Sequence, residues 1–93
     1  MAVAIESIAR ELNLTPDELG RRSLAAFLER EIRATQMDIA DLQDRYHARD
    51  ATDLSAKIKA GAVHSHPAWE DCIEWQSLEA HLERLNRWQA ELG

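Results

Sequence analysis

Two long apolar stripes dominate the chain. One runs Ala25, Leu28, Ile32, Thr35, Ile39, Leu42, Tyr46 and the other Trp75, Leu78, Leu82, Leu85, Gln89, Leu92. Both alternate steps of three and four residues, which places each on one narrow side of an α-helix. Neither helix can bury its own stripe, so the two are expected to pair antiparallel, residues 24–48 against 68–92. The predicted fold is all-α: a long coiled-coil-like helical hairpin in an oligomeric protein.

The segments around the stripes have their own signals. Ile5, Ile8, Ala9 and Leu12 recur at helical spacing, while the alternation of Val3 and Ile5 is too short to sustain a strand. Asn13 tolerates the left-handed conformation that ends a helix. Thr15 suits an N-cap, Pro16 the first helical position and Glu18 the third position of a capping box, with Leu14 and Leu19 placed as a hydrophobic staple. From there a helix is predicted to about Arg49, interrupted by nothing stronger than Gly20 and roughly 50 Å long at 1.5 Å per residue. Asp50 caps a shorter helix with Leu54 and Ile58 inward and Gly61 as its stop. Residues 62–65 connect, Pro67 opens the last helix, and Glu70 and Asp71 sit where its positive end favours carboxylates. There is no internal repeat. The domain organisation is one helical domain over 1–93: a hairpin over 24–92, and an N-terminal segment over 1–23 whose apolar face has no partner in the hairpin. A homodimer joined through those segments is the simplest way to cover it.

Composition narrows the function. A chain of 93 residues, 45% hydrophobic and 30% charged, with two prolines and three glycines, suits one small folded helical domain. The net charge of −6 is concentrated beyond residue 33, where 11 acidic side chains face 6 basic ones, whereas residues 1–33 are near balance at 6 to 5. That asymmetry disfavours coating nucleic acid and favours a basic partner. Cys72 is the single cysteine, so no intramolecular disulfide can form. With no membrane-spanning run and no signal-peptide pattern, a cytoplasmic location is expected.

Chemistry-bearing residues are sparse. His64 and His66 lie close to Glu70, Asp71 and Cys72, residue types that a metal would want, but the spacing matches no established zinc pattern. A solvated or capping role outweighs ligation there, and neither a metal nor a cofactor is expected. Cys72 would need a neighbouring base to act as a nucleophile, and two carboxylates precede it instead, so a small buried residue is the better reading. Tyr46 and His47 are placed to meet Trp69 or Trp75 across the hairpin, and His81 and Trp88 flank the second stripe. No Ser/His/Asp combination or glycine-rich phosphate loop occurs, so nothing points to an enzyme. Arg21 and Arg22, with Arg10, Arg30 and Arg33, form the one basic region. Glu29 and Glu31 alternate with the last two, as ordinary pairing along a helix would have it.

The stretch LTPDELGRRSLAAFLEREI, residues 14–32, resembles the second helix of ribbon–helix–helix antitoxins and repressors, with residues 5–12 as the first helix. It covers about a third of the chain. Met1 to Ile5, where that family places its DNA-reading strand, carry no basic or amide side chains. The whole chain, with its segment HPAWEDCIEW, is also similar to small helical proteins encoded beside toxin genes. The resemblance implies self-association and neutralisation of a toxin-like protein partner. Expected protein contacts are Ile5, Ile8, Leu12, Leu19, Trp69, Trp75 and Trp88; Arg10, Arg21 and Arg22 are the candidates should the chain instead be a DNA-binding regulator. A purely structural coiled-coil assembly unit is the third reading.

Overall fold

The computed structural model describes residues 2–93, with side chains from Ala4 onward. Four helices follow in order: α1 Ala2–Glu11, α2 Pro16–Tyr46, α3 Ala51–Lys59 and α4 Ser65–Leu92. α2 and α4 form the long antiparallel hairpin, α3 packs on α4 near the turn, and α1 lies against the start of α2. Ala2 to Ile5 belong to α1. Met1, and the side chain of Val3 in the short alternation, lie outside the described part.

The helix ends are made by the residues that signal them. Thr15 Oγ1 accepts from the Glu18 N–H at 3.0 Å, and Glu18 Oε1 accepts from the Thr15 N–H at 3.3 Å, a reciprocal capping box. Asn13, at φ 59°, closes α1: its N–H reaches the Arg10 carbonyl and that of Leu14 reaches the Ala9 carbonyl. Gly61, at φ 78°, closes α3 in the same way, with Gly61 N–H to Ile58 and Ala62 N–H to Lys57. Both are Schellman closures, which need a left-handed residue after the last turn.

Two boundaries differ from expectation. α2 stops at Tyr46, three residues before Arg49, because His47 turns left-handed at φ 51° and lets Ala48 enter the core. The Gln43 amide holds this corner by donating to the Arg49 carbonyl at 2.9 Å. α4 begins earlier than Pro67, at Ser65, but His66 is non-helical (φ −114°, ψ 128°) and breaks the first turn.

Both stripes are used. In α2, Leu28, Ile32, Thr35 and Leu42 are buried and Ala25, Ile39 and Tyr46 half-buried. The polar member, Thr35, is satisfied within its own helix by the Glu31 carbonyl at 2.8 Å. In α4, Trp75 and Leu85 are buried, Leu78, Leu82 and Leu92 half-buried, and Gln89 exposed. The α4 stripe also extends backwards through Cys72 to Ala68, both buried.

The core is unevenly distributed. At the turn end three helices meet, and Leu42, Ala48, Ala51, Leu54, Ala68, Cys72 and Trp75 form one cluster. Ala51 is tied to α4 from both sides: its N–H donates to Glu79 Oε2 at 3.1 Å and its carbonyl accepts from Cys72 Sγ at 3.4 Å. Toward the open end only two helices remain, and the core shrinks to Leu28, Ile32 and Leu85. The result is a rod of 60 × 21 × 18 Å with a radius of gyration of 19.1 Å, where a compact domain of this length has about 12 Å.

Trp75 is the largest wholly buried side chain, and its indole N–H has no hydrogen-bond partner among the described residues. Its stabilising contribution therefore comes from the volume it fills, with no hydrogen bond added to it. Trp75→Ala is expected to cost about 3–5 kcal/mol, a large part of the stability of a domain this small. Trp75→Phe should cost less than half as much, because no hydrogen bond is lost. Thermal or urea unfolding followed by circular dichroism measures both; equal losses would contradict a purely volumetric role.

Candidate protein-interaction surface

The residues that looked chemical in the sequence have structural duties. Asp71 Oδ2 accepts the Tyr46 hydroxyl and the Arg45 Nη1 donor, the latter at 3.0 Å, and so ties the end of α2 to α4. Burial, followed by the Asp71 hydrogen bond and charge, pushes the Tyr46 phenol above its ordinary range, and Arg45 works in the opposite direction. The hydrogen bond and charge of Asp71 raise the Arg45 guanidinium in turn. Cys72 faces the Ala51 carbonyl inside the core, and burial, with the nearby Glu79 carboxylate, pushes its thiol up, Lys59 opposing. That is the reverse of nucleophile activation.

The stretch from His64 to Cys72 disperses its side chains. His64 precedes α4 without a capping hydrogen bond from its side chain. His66 Nδ1 pairs with Glu70 Oε1 at 3.0 Å in solvent, while Asp71 turns to α2 and Cys72 inward. Among the described residues no group of three or more His, Cys, Asp or Glu side chains is placed to hold a metal ion.

The arginines are not gathered either. Arg10 borders the corner of α1 and α2 with Glu6, Leu14, Thr15 and Pro16, whereas Arg21 and Arg22 border the open end with Ala25, Glu29 and Gln89. Arg30 stands over the Phe27 ring at 5.9 Å from its centroid. All these arginines are exposed, and the first three share their surroundings with a carboxylate.

What the fold leaves outside is apolar surface at the two ends. Trp75, expected as a protein contact, is wholly enclosed in its own chain and is corrected to a core residue. Leu19 is half-buried, and so is Leu14. The other expected contacts are open: Ile5 is 38%, Ile8 49%, Leu12 56%, Trp69 47% and Trp88 41% exposed. Leu24, Phe27, Met37 and Ile73 join them, each at least 46% exposed. They were not anticipated, yet the signal was present: each is a large apolar residue off the stripe of a helix whose stripe is already filled.

Some of these residues group into two patches. At the open end Leu24, Leu28, Trp88 and Leu92, with Glu91, line an apolar cleft of about 420 Å³ between α2 and α4. Toward the turn end Trp69 and Ile73 stand one turn apart on α4, in a run that carries Glu70 and Glu74. Glu74 also borders a shallow groove of about 200 Å³ with Asp38, Asp41 and Arg45, three carboxylates to one guanidinium.

Fold and surface together define an elongated all-α helical-hairpin protein with apolar patches at both ends. No helix is long and apolar enough to cross a membrane. The chain belongs to the uncharacterized protein MJ0235 family, whose family model matches residues 1–93. No curated protein and no solved structure matches the chain.

Two side chains make the structural assignments testable. The protein has one tyrosine, so absorbance at 295 nm titrates Tyr46 alone. In the folded state it should ionise above pH 10. The stability it contributes is then complete below the unfolded pKa of about 10 and is lost as pH rises through the folded value. Asp71→Asn should bring the midpoint down, and an unmoved midpoint would contradict the Tyr46–Asp71 contact. Separately, Cys72 should resist a thiol reagent at pH 8 in the native protein and react fully in denaturant; rapid native labelling would place it outside the core.

Proposed function

We propose that this chain is a non-enzymatic protein-interaction module, an antitoxin-like neutraliser that binds a basic partner protein and occludes its working surface. The observation that carries the reading is the pair Trp69 and Ile73, 47% and 52% exposed on a helix whose inward side is already packed. Large apolar side chains left in solvent serve neither the core nor solubility. Aromatic anchors ringed by polar residues are the usual centres of binding energy in protein interfaces.

Electrostatics supports the same partner. Glu70, Glu74, Asp38 and Asp41 belong to this half of the rod, with Arg45 already engaged by Asp71. Carboxylates around an apolar anchor raise the encounter rate with a basic surface and reject acidic ones. Catalytic chemistry has no part in this mechanism: occlusion needs a shaped surface held rigid, which the three-helix junction beneath Trp69 and Ile73 supplies.

Co-expression with the product of the adjacent gene tests it. The two proteins should co-purify in a complex that weakens as salt rises. Trp69→Ala with Ile73→Ala should weaken binding tenfold or more, a loss of about 1.4 kcal/mol or greater, without changing the helical content of the free chain. If the neighbouring protein is not retained at micromolar concentration, or if the double variant binds as well as the parent, the reading fails.

A further inference from the structure

The open end of the rod has surface of a different kind, and it carries a separate inference. α1 presents a ridge: Ile5, Ile8 and Leu12 follow one another along one side, while Ala9 at the edge of the same stripe is wholly covered. α1 therefore rests on its own chain by a small residue and keeps its large ones outside. Between α2 and α4 the same end presents a groove of about 420 Å³, lined by Leu24, Leu28, Trp88 and Leu92. One chain thus holds both an apolar ridge and an apolar groove, and fills neither with the other.

The total surface leaves room for a second copy to cover them. The chain exposes 6828 Å², where a monomeric protein of 10.6 kDa exposes about 5,500 Å², leaving an excess on the order of 1,300 Å². A standard protein interface hides about 800 Å² on each partner. The excess is large enough for one such interface per copy, and the ridge and the groove supply apolar surface for it. Charge also permits the meeting. The groove carries one charged residue, Glu91, with Arg21, Arg22 and Glu29 in a neighbouring cleft of the same end, and α1 carries Glu6, Arg10 and Glu11. Both sides mix signs, so no like-charge barrier opposes contact.

We propose that a second copy of this chain occupies the open end, the α1 ridge of each copy seated in the α2–α4 groove of the other. Because each copy supplies one ridge and one groove, two such contacts close around a twofold axis and leave no unfilled site. The dimer buries Ile5, Ile8, Leu12, Leu24 and Trp88. It leaves Trp69 and Ile73, near the turn end, free for another protein.

Light scattering on a sizing column, together with a cross-link, tests the assignment. At micromolar concentration the mass should be twice the 10.6 kDa of one chain. Ile8→Glu and Trp88→Glu, each at a solvent-exposed position, should separately convert it to monomer with unchanged helical circular dichroism. One copy carrying Ile8→Cys and a second, differently tagged copy carrying Trp88→Cys should form a mixed covalent dimer on mild oxidation. Trp69→Ala should leave the dimer intact, so failure here is distinguishable from failure of the partner reading. A single-chain mass up to about 100 µM, open assemblies larger than two, a dimer indifferent to both Glu variants, or no mixed cross-link would overturn the proposal.

Discussion

A helix with one apolar stripe must find a second surface, and in this chain that surface is another stripe of similar length. α2 has 31 residues and α4 has 28, so pairing them antiparallel covers nearly all of both stripes. The rest of the structure depends on that match. Each buried Leu, Ile or Val is worth about 1.5–3 kcal/mol, but the gain is spread along a line rather than gathered into a sphere. A two-helix rod has no interior behind its seam. α3 thickens it at the turn end, around Leu54 and Trp75, and at the other end α1 rests on the start of α2.

From this geometry follows the character of the surface. At the turn end, residues with chemical potential serve to lock helices together. Asp71 joins α4 to Tyr46 and Arg45, Glu79 receives the first N–H of α3, and Cys72 donates to the carbonyl of the same residue. Each bond satisfies a group that would otherwise be stranded at a helix end or in the core. At the open end α1 packs on the start of α2 but leaves Leu24, Phe27 and Trp88 in solvent. An unfinished core at one end and the exposed Trp69 and Ile73 at the other suit a protein whose work is done on other proteins.

The stripes, caps and stops of the hairpin were legible in the sequence because they are local or periodic. Thr15 with Glu18, Asn13 and Gly61 all sit where their conformational preferences place them. His47 was not legible as a stop: a left-handed histidine is not announced by its neighbours, and the periodicity simply continues past it. The surface was harder to read. A tryptophan on a helix looks the same in sequence whether it faces a neighbour or water, and Trp75 and Trp69 differ by six residues, enough to turn them about 120° apart. Exposure at Leu24, Phe27 and Ile73 follows only once the stripe is known to be saturated. The partners that would cover them lie outside the chain, where its periodicity carries no information.

The central claim is that cohesion is concentrated at the three-helix end and fades toward the open one. Residue-resolved amide hydrogen exchange, at a concentration where the chain is monomeric, tests it most directly. Exchange should be slowest around Leu42, Leu54, Cys72 and Trp75, faster around Leu28 and Leu85, and fastest in α1 and the last turn of α4. Protection that is uniform along the rod, or greatest at the open end, would contradict it.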